Sequence, residues 1–295
     1  MADEIWLVIK LIISVIILSI LVLMLFYALG LKRMLKDLVD IEDPYKRTAL
    51  LMRYEKELDD FRKQKQYKQF IENGDYLSSV YIEILGSRSM PIPEKLIIAG
   101  KLVVLSDELL SMVRPVDNPR KYQNIIGRKA MAFNKIGVIK RDPKLQLQSR
   151  DIYLDGLSVL DSVEDRKKHR NYLGWIAEQN FNIAYSLEDE KYFLDAIELV
   201  KERIRYYSRT REERQLGQLY AELVKTYGDF SKLWNREHYH EEVQRIVDEA
   251  LLLPGLKQKY PETYSEVLSK AANARYYMSI RKKEMEAYSQ LGEKK

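Results

Sequence analysis

The sequence predicts an all-α chain: an N-terminal transmembrane helix followed by an α-solenoid of antiparallel helix pairs. Three observations carry this. Residues 11–31 form an apolar run without a single charge. Beyond it, apolar residues recur at helical spacing, and no alternating strand pattern competes with them. From about residue 120 onward the helices come in pairs separated by short loops, each pair starting some 45 residues after the last. Glycine occupies only 12 of 295 positions and charged residues reach 32%, a composition that favours helices over turn-rich sheets.

The first segment, 1–36, reads as the anchor. A helix apolar on every side finds no dry place in a domain of this size, and 21 residues at about 1.5 Å each match a hydrocarbon core of roughly 30 Å. Lys10 is placed to snorkel to the near headgroups, and Trp6 and Tyr27 suit the two interfaces, so residues 5–31 are expected to meet the lipid bilayer. A cleaved signal peptide is the competing reading. The acidic start at Asp3 and Glu4 and the length of the apolar run argue against it. Lys32, Arg33, Lys36, Lys46 and Arg47 follow the run, whereas Lys10 alone precedes it. Five bases against one place the large domain on the cytoplasmic side of a single-pass cell-membrane protein.

Residues 37–72 are expected to form a juxtamembrane helix or stalk, starting at Asp43-Pro44, with a mixed-charge surface to about Phe70. Glu72-Asn73-Gly74-Asp75 reads as a break. Residues 73–116 then make a helical pair: Tyr76 to Leu85, a loop over Gly86, Pro91 and Pro93, and an apolar helix ending at Pro115. Residues 117–295 are the repeat domain. Helices are expected over 120–139, 144–162, 166–187, 190–208, 211–228, 237–253, 261–279 and 281–291. Phe193, Ala196, Ile197, Val200 and Ile204 share one face, and so do Val243, Ile246, Val247 and Ala250.

Several residues within this pattern resemble the tetratricopeptide-repeat family. Ile183-Ala184, Ala196 and Val200 fall at the spacing of the small residues that let the two helices of a repeat pack closely. Ala250-Leu251 followed by Pro254 is similar to the family's closing positions. Gly74-Asp75-Tyr76 resembles the turn of another repeat, and Ile126-Gly127 the small position of one more. The resemblance implies protein or peptide binding in a concave groove, without catalysis. HEAT-like pairs or an irregular bundle satisfy the same spacing. An anchor ahead of such repeats is also the layout of the bacterial lipopolysaccharide assembly regulator, but that family's rubredoxin-type module needs cysteines and this chain has none.

Charge singles out one candidate site. Between 117 and 150 nine bases oppose only Asp117 and Asp142, a local balance of +7 against +5 for the whole chain. Lys121, Arg128 and Lys135, seven apart with Asn124 between the first two, line one stripe of a helix. Such a stripe would receive an acidic partner segment or anionic headgroups. A second basic stretch, 201–214, carries six bases against three acids and spans an expected turn, which argues against nucleic acid as a partner.

The remaining chemistry is mostly excluded. Without cysteine there is no disulfide, thiolate nucleophile or cysteine-held metal. His238 and His240 on a helix point about 200° apart, which prevents them from sharing one ion. No glycine-rich phosphate loop and no nucleophile elbow is present. No cofactor and no enzyme activity are expected. The expectation is a membrane-tethered scaffold or adaptor. A structural subunit of a secretion, pilus or flagellar machine, or an extracytoplasmic chaperone, is the alternative, and self-association is compatible with each.

Overall fold

The computed structural model describes residues 44–87, 90–160, 165–231, 233–234 and 237–292. The expected membrane span lies outside these residues. Among the described residues no helix is long and apolar enough to cross a membrane, and no strand occurs. Two compact units divide the chain, the first ending at Lys135 and the second beginning at Ile136.

The first unit holds α1 (Pro44–Lys63), α2 (Tyr67–Gly86), α3 (Ile92–Met112) and the start of α4 (Pro119–Lys140). Apolar residues three and four apart give α1 a buried edge of Leu51, Tyr54 and Leu58, which packs on α2. α2 offers Leu77, Val80, Tyr81 and Ile84, and α3 answers with Ile98, Leu102, Leu105 and Leu109. Each such side chain removed from water contributes roughly 1.5–3 kcal/mol. The described part of the segment expected as a stalk is therefore α1 and the start of α2, packed on their neighbours, and Glu55 ties α1 to α2 and α3. Its carboxylate accepts from the Tyr81 hydroxyl and from Lys101 Nζ, both at 2.7 Å.

The chain breaks at Gln64–Gln66, where Lys65 takes a left-handed φ of 56°, and not at Glu72–Asp75. Gly74-Asp75-Tyr76 is no repeat turn; it lies inside α2. The glycine serves packing: a Cβ there would meet Leu109 Cδ2 at 3.0 Å. A small residue brings α2 and α3 together at this point, and tertiary contact overrides the local turn preference.

The rest of α4 belongs to the second unit with α5 (Pro143–Ser158), α6 (Arg166–Leu187), α7 (Glu190–Thr210), α8 (Glu213–Phe230), α9 (Glu237–Leu251), the single turn α10 (Leu256–Lys259) and α11 (Pro261–Gly292). Asp142 and Asp189 cap α5 and α7, each carboxylate accepting a backbone N–H two residues on at 2.9 Å; a cap of this kind is worth about 1 kcal/mol. Three joints are closed by residues other than glycine in left-handed conformation, Arg141, Glu188 and Arg211, at φ 54°, 51° and 56°, whereas Gly255 at φ 79° serves the joint before α10. After Glu188 and Arg211 the next N–H returns to the preceding helix, Asp189 to the Ala184 carbonyl and Glu212 to the Tyr207 carbonyl, both at 3.1 Å.

Packing in this unit follows the chain. α5 lies on α6, α6 on α7, α7 on α8, and α8 on both α9 and α11. The first helices of successive pairs begin at Pro119, Arg166, Glu213 and Pro261, 47, 47 and 48 residues apart. Ala184, Ala196 and Val200 are fully buried, whereas Leu251 remains 36% exposed.

Phe193 is the hub of the core. Its ring stacks on Phe230 at 4.3 Å between centroids and meets Tyr227 and Tyr239 edge-on at 5.4 Å. The long connection after Gly228 is held here too, since Trp234 lies parallel to Phe230 at 5.1 Å. Residues 261–292 form one helix where two were expected. No glycine or proline interrupts Ser279–Arg281, and the Ser279 hydroxyl donates back to the Tyr276 carbonyl at 2.8 Å.

Candidate partner-binding cleft

The four residues chosen from sequence do not form one uniform surface. Lys121 stands at the first turn of α4, half-exposed, its backbone N–H donating to the Asn118 side chain at 3.0 Å. Asn124 is exposed and Lys135 half-buried. Arg128 is engaged inside the first unit. Its Nη1 donates to the Asp75 carbonyl at 2.9 Å and the Ser78 hydroxyl at 2.7 Å, and it pairs with the Asp75 carboxylate. Next to it, Lys129 pairs with Asp107 at 2.6 Å. The middle of the stripe therefore joins helices.

His238 is exposed and rests on the Tyr239 ring, while Tyr239 is buried and its hydroxyl donates to Glu190 at 2.5 Å. The segment is a helix start anchored by its tyrosine. Among the described residues no group of histidines and carboxylates is placed to hold a metal ion.

A concave site does appear between α6 and α8, the first helices of consecutive pairs. On α6, Glu178, Phe181, Asn182 and Tyr185 fall at i, i+3, i+4 and i+7, so helical geometry places them on one face. Glu222, Lys225, Thr226 and Asp229 repeat that spacing on α8, with Phe230 following. The two stripes enclose a cleft of about 460 Å³, within the range of ligand pockets.

Phe181 and Phe230, 6.2 Å apart between centroids, form the apolar part of the lining, and Phe230 is fixed from behind by its stack on Phe193. Tyr185 is 62% exposed. Polar groups complete the walls. The Thr226 hydroxyl donates to the Glu222 carbonyl at 2.8 Å, and Lys225 Nζ lies 2.8 Å from the Asp229 carboxylate.

Among the described residues the Glu178 and Glu222 carboxylates have no hydrogen bond and no ion pair. Glu222 is half-buried, and that burial pushes its carboxyl above the ordinary range; Arg203 pulls it down, and Glu178 raises it further. The Arg203 guanidinium also covers Gly174, where a Cβ would come within 2.9 Å, and its buried Nε has no hydrogen-bond partner among the described residues. A little further along α6, Arg170 stacks on the Tyr206 ring at 3.8 Å. The cleft is thus aromatic below and carries two carboxylates on facing helices that no ion pair among the described residues closes.

Compared with known proteins, the chain matches no protein-family model, and no curated protein matches its sequence.

Sequence reasoning missed this cleft because each half is an ordinary amphipathic pattern. Glu178 and Glu222 lie 44 positions apart, nearly one repeat period, and only the stacking of successive helix pairs brings them to one cleft.

Proposed function

We propose that the chain is a membrane-tethered, protein-binding scaffold, without catalysis, that takes a partner segment into the cleft between α6 and α8. The cleft carries the reading: a cavity of about 460 Å³ between the first helices of successive pairs, with an aromatic base. The steady 47-residue period and the buried Ala184, Ala196 and Val200 support a tetratricopeptide-like solenoid, in which first helices line the binding surface. The uncharged run 11–31 supports the tether, and the bases after it support a cytoplasmic domain at the cell membrane. Confinement to the bilayer surface raises the effective concentration of the cleft for membrane partners.

One observation favours the second reading, a structural subunit of an envelope machine. Ile97 and Val104, seven apart on α3, are 59% and 67% exposed, and Met52 on α1 is 62% exposed. Such apolar surface suits permanent packing against neighbours.

A photoreactive residue placed at Tyr185, with a control at Glu241 on α9, tests the proposal in intact cells. The cleft position is expected to yield a discrete adduct whose cross-linked partner peptide maps to one recurring segment. An empty Tyr185 lane, or the same adducts from both positions, sinks the cleft as the binding site.

A further inference from the structure

Resting on this cleft reading, we propose that the segment it accepts is basic: a lysine or arginine side chain of the partner enters between Glu178 and Glu222 while an apolar neighbour lies on Phe181 and Phe230.

The cleft is short of positive charge. Its lining holds three carboxylates and one base, and that base, Lys225, is already paired with Asp229. Arg203 on α7 covers Gly174 with its guanidinium and acts on the Glu222 carboxylate at a distance, closing no ion pair with Glu222 or Glu178. Two carboxylates therefore stand on facing helices with no ion pair among the described residues closing on either, Glu222 half-buried and Glu178 exposed, and the charges of Arg203 and Lys225 act on Glu222 only through space. Attraction between charges grows as water is displaced, so a cationic side chain seated here gains more than it would on an open surface.

The base of the cleft is as suitable as its walls. An ammonium or guanidinium group is attracted to aromatic faces, and its methylene stem covers apolar surface at the same time. A flanking apolar side chain then fills the space over Phe181 and Phe230. An acidic segment meets two bare carboxylates, so the same features reject it. The sign is opposite to that of the basic stripe on α4, whose central arginine is held by Asp75.

The occupant is a protein segment, because the two stripes run along the helix axes. Glu178 to Tyr185 and Glu222 to Phe230 each cover about two turns, roughly 11 Å, which three or four extended residues span.

Fluorescence anisotropy with the full chain in a neutral detergent tests this. The probes are three labelled twelve-residue peptides in which leucine alternates with lysine, with glutamine or with glutamate. The lysine peptide is expected to bind at least about tenfold more tightly than the glutamine peptide, and the glutamate peptide to show no saturable binding. The double variant Glu178→Gln/Glu222→Gln, with its helical circular dichroism unchanged, is expected to lose the lysine preference.

Equal binding of the three peptides overturns the proposal, and so does a lysine preference that survives in the double variant. The two readings fail separately. Cross-links at Tyr185 without a lysine preference leave the cleft standing and remove only its charge selectivity, whereas absence of both removes the cleft.

Discussion

At Gly228 the backbone of α8 comes close to that of α11, and replacing the glycine by alanine tests how the second unit is held together. In an open helix the exchange stabilises by up to about 1 kcal/mol, because glycine loses more backbone freedom on folding. Here the added Cβ would lie 2.8 Å from Ala274 Cβ and 2.9 Å from Ala274 Cα. No rotamer change relieves that contact, since one of the two atoms is backbone and the other is fixed to it. The helices must separate, and overpacking of this kind costs about 1–3 kcal/mol. The steric term wins, for a net loss of about 1–2 kcal/mol. At about 2–4 °C per kcal/mol, Gly228→Ala lowers the melting temperature by roughly 2–8 °C. Gly100→Ala on α3 is the matched control. Nothing lies within 4 Å of its Cβ, so it raises stability by about 0.5–1 kcal/mol. Thermal unfolding of the full chain in detergent, followed by circular dichroism at 222 nm, reads both. If Gly228→Ala melts at or above the wild type, the close approach of α8 to α11 is not the constraint described, and the reasoning from Cβ contacts fails.

Two further substitutions address the charged groups. Arg128→Ala leaves Asp75 and Ser78 without their donor in a half-buried setting and is expected to cost about 1–3 kcal/mol in urea titration; Lys121→Glu, which touches no such network, stays within about 0.5 kcal/mol. Glu222→Gln tests the buried carboxyl through pH. Its folded pKa lies above the ordinary 4.5, so the folded state holds the proton more tightly and stability falls as pH rises from 4.5 through the raised value. The wild type is therefore disadvantaged at pH 7 relative to the glutamine variant and not below pH 4.5, and urea midpoints at pH 4 and pH 7 should show the gap opening with pH.

Helix boundaries in the second unit were largely legible, because proline and capping residues mark them locally. Pro143 and Pro261 open helices where expected, 166–187 is the helix foreseen, and Asp189 caps the next one. The misreadings share a cause. Glu72–Asp75 carries turn-forming residues, yet Gly74 is there for its lack of a side chain opposite Leu109. Arg128 belongs by sequence to a periodic basic stripe, but its partner Asp75 is 53 positions away. The cleft fails to show for the same reason: aromatic and acidic residues at helical spacing are common, and their convergence depends on how α6 and α8 pair. Local chemistry writes the ends of helices, whereas the use of a helix face is decided by what the neighbouring helix brings to it.

The charged residues at the joints carry a consequence for recognition. Glu188 connects α6 to α7, and Arg211 connects α7 to α8, each in the left-handed well that is narrow for any residue with a Cβ. A glycine there would swing among several basins. Residues with a Cβ held in that well restrict the two joints and so favour one arrangement of the cleft walls. The receptor surrenders little freedom on binding, and differences in affinity among partners fall to the partners' own flexibility. If the cleft takes a segment as proposed, one already extended in solution, or stiffened by proline away from its lysine, would be favoured.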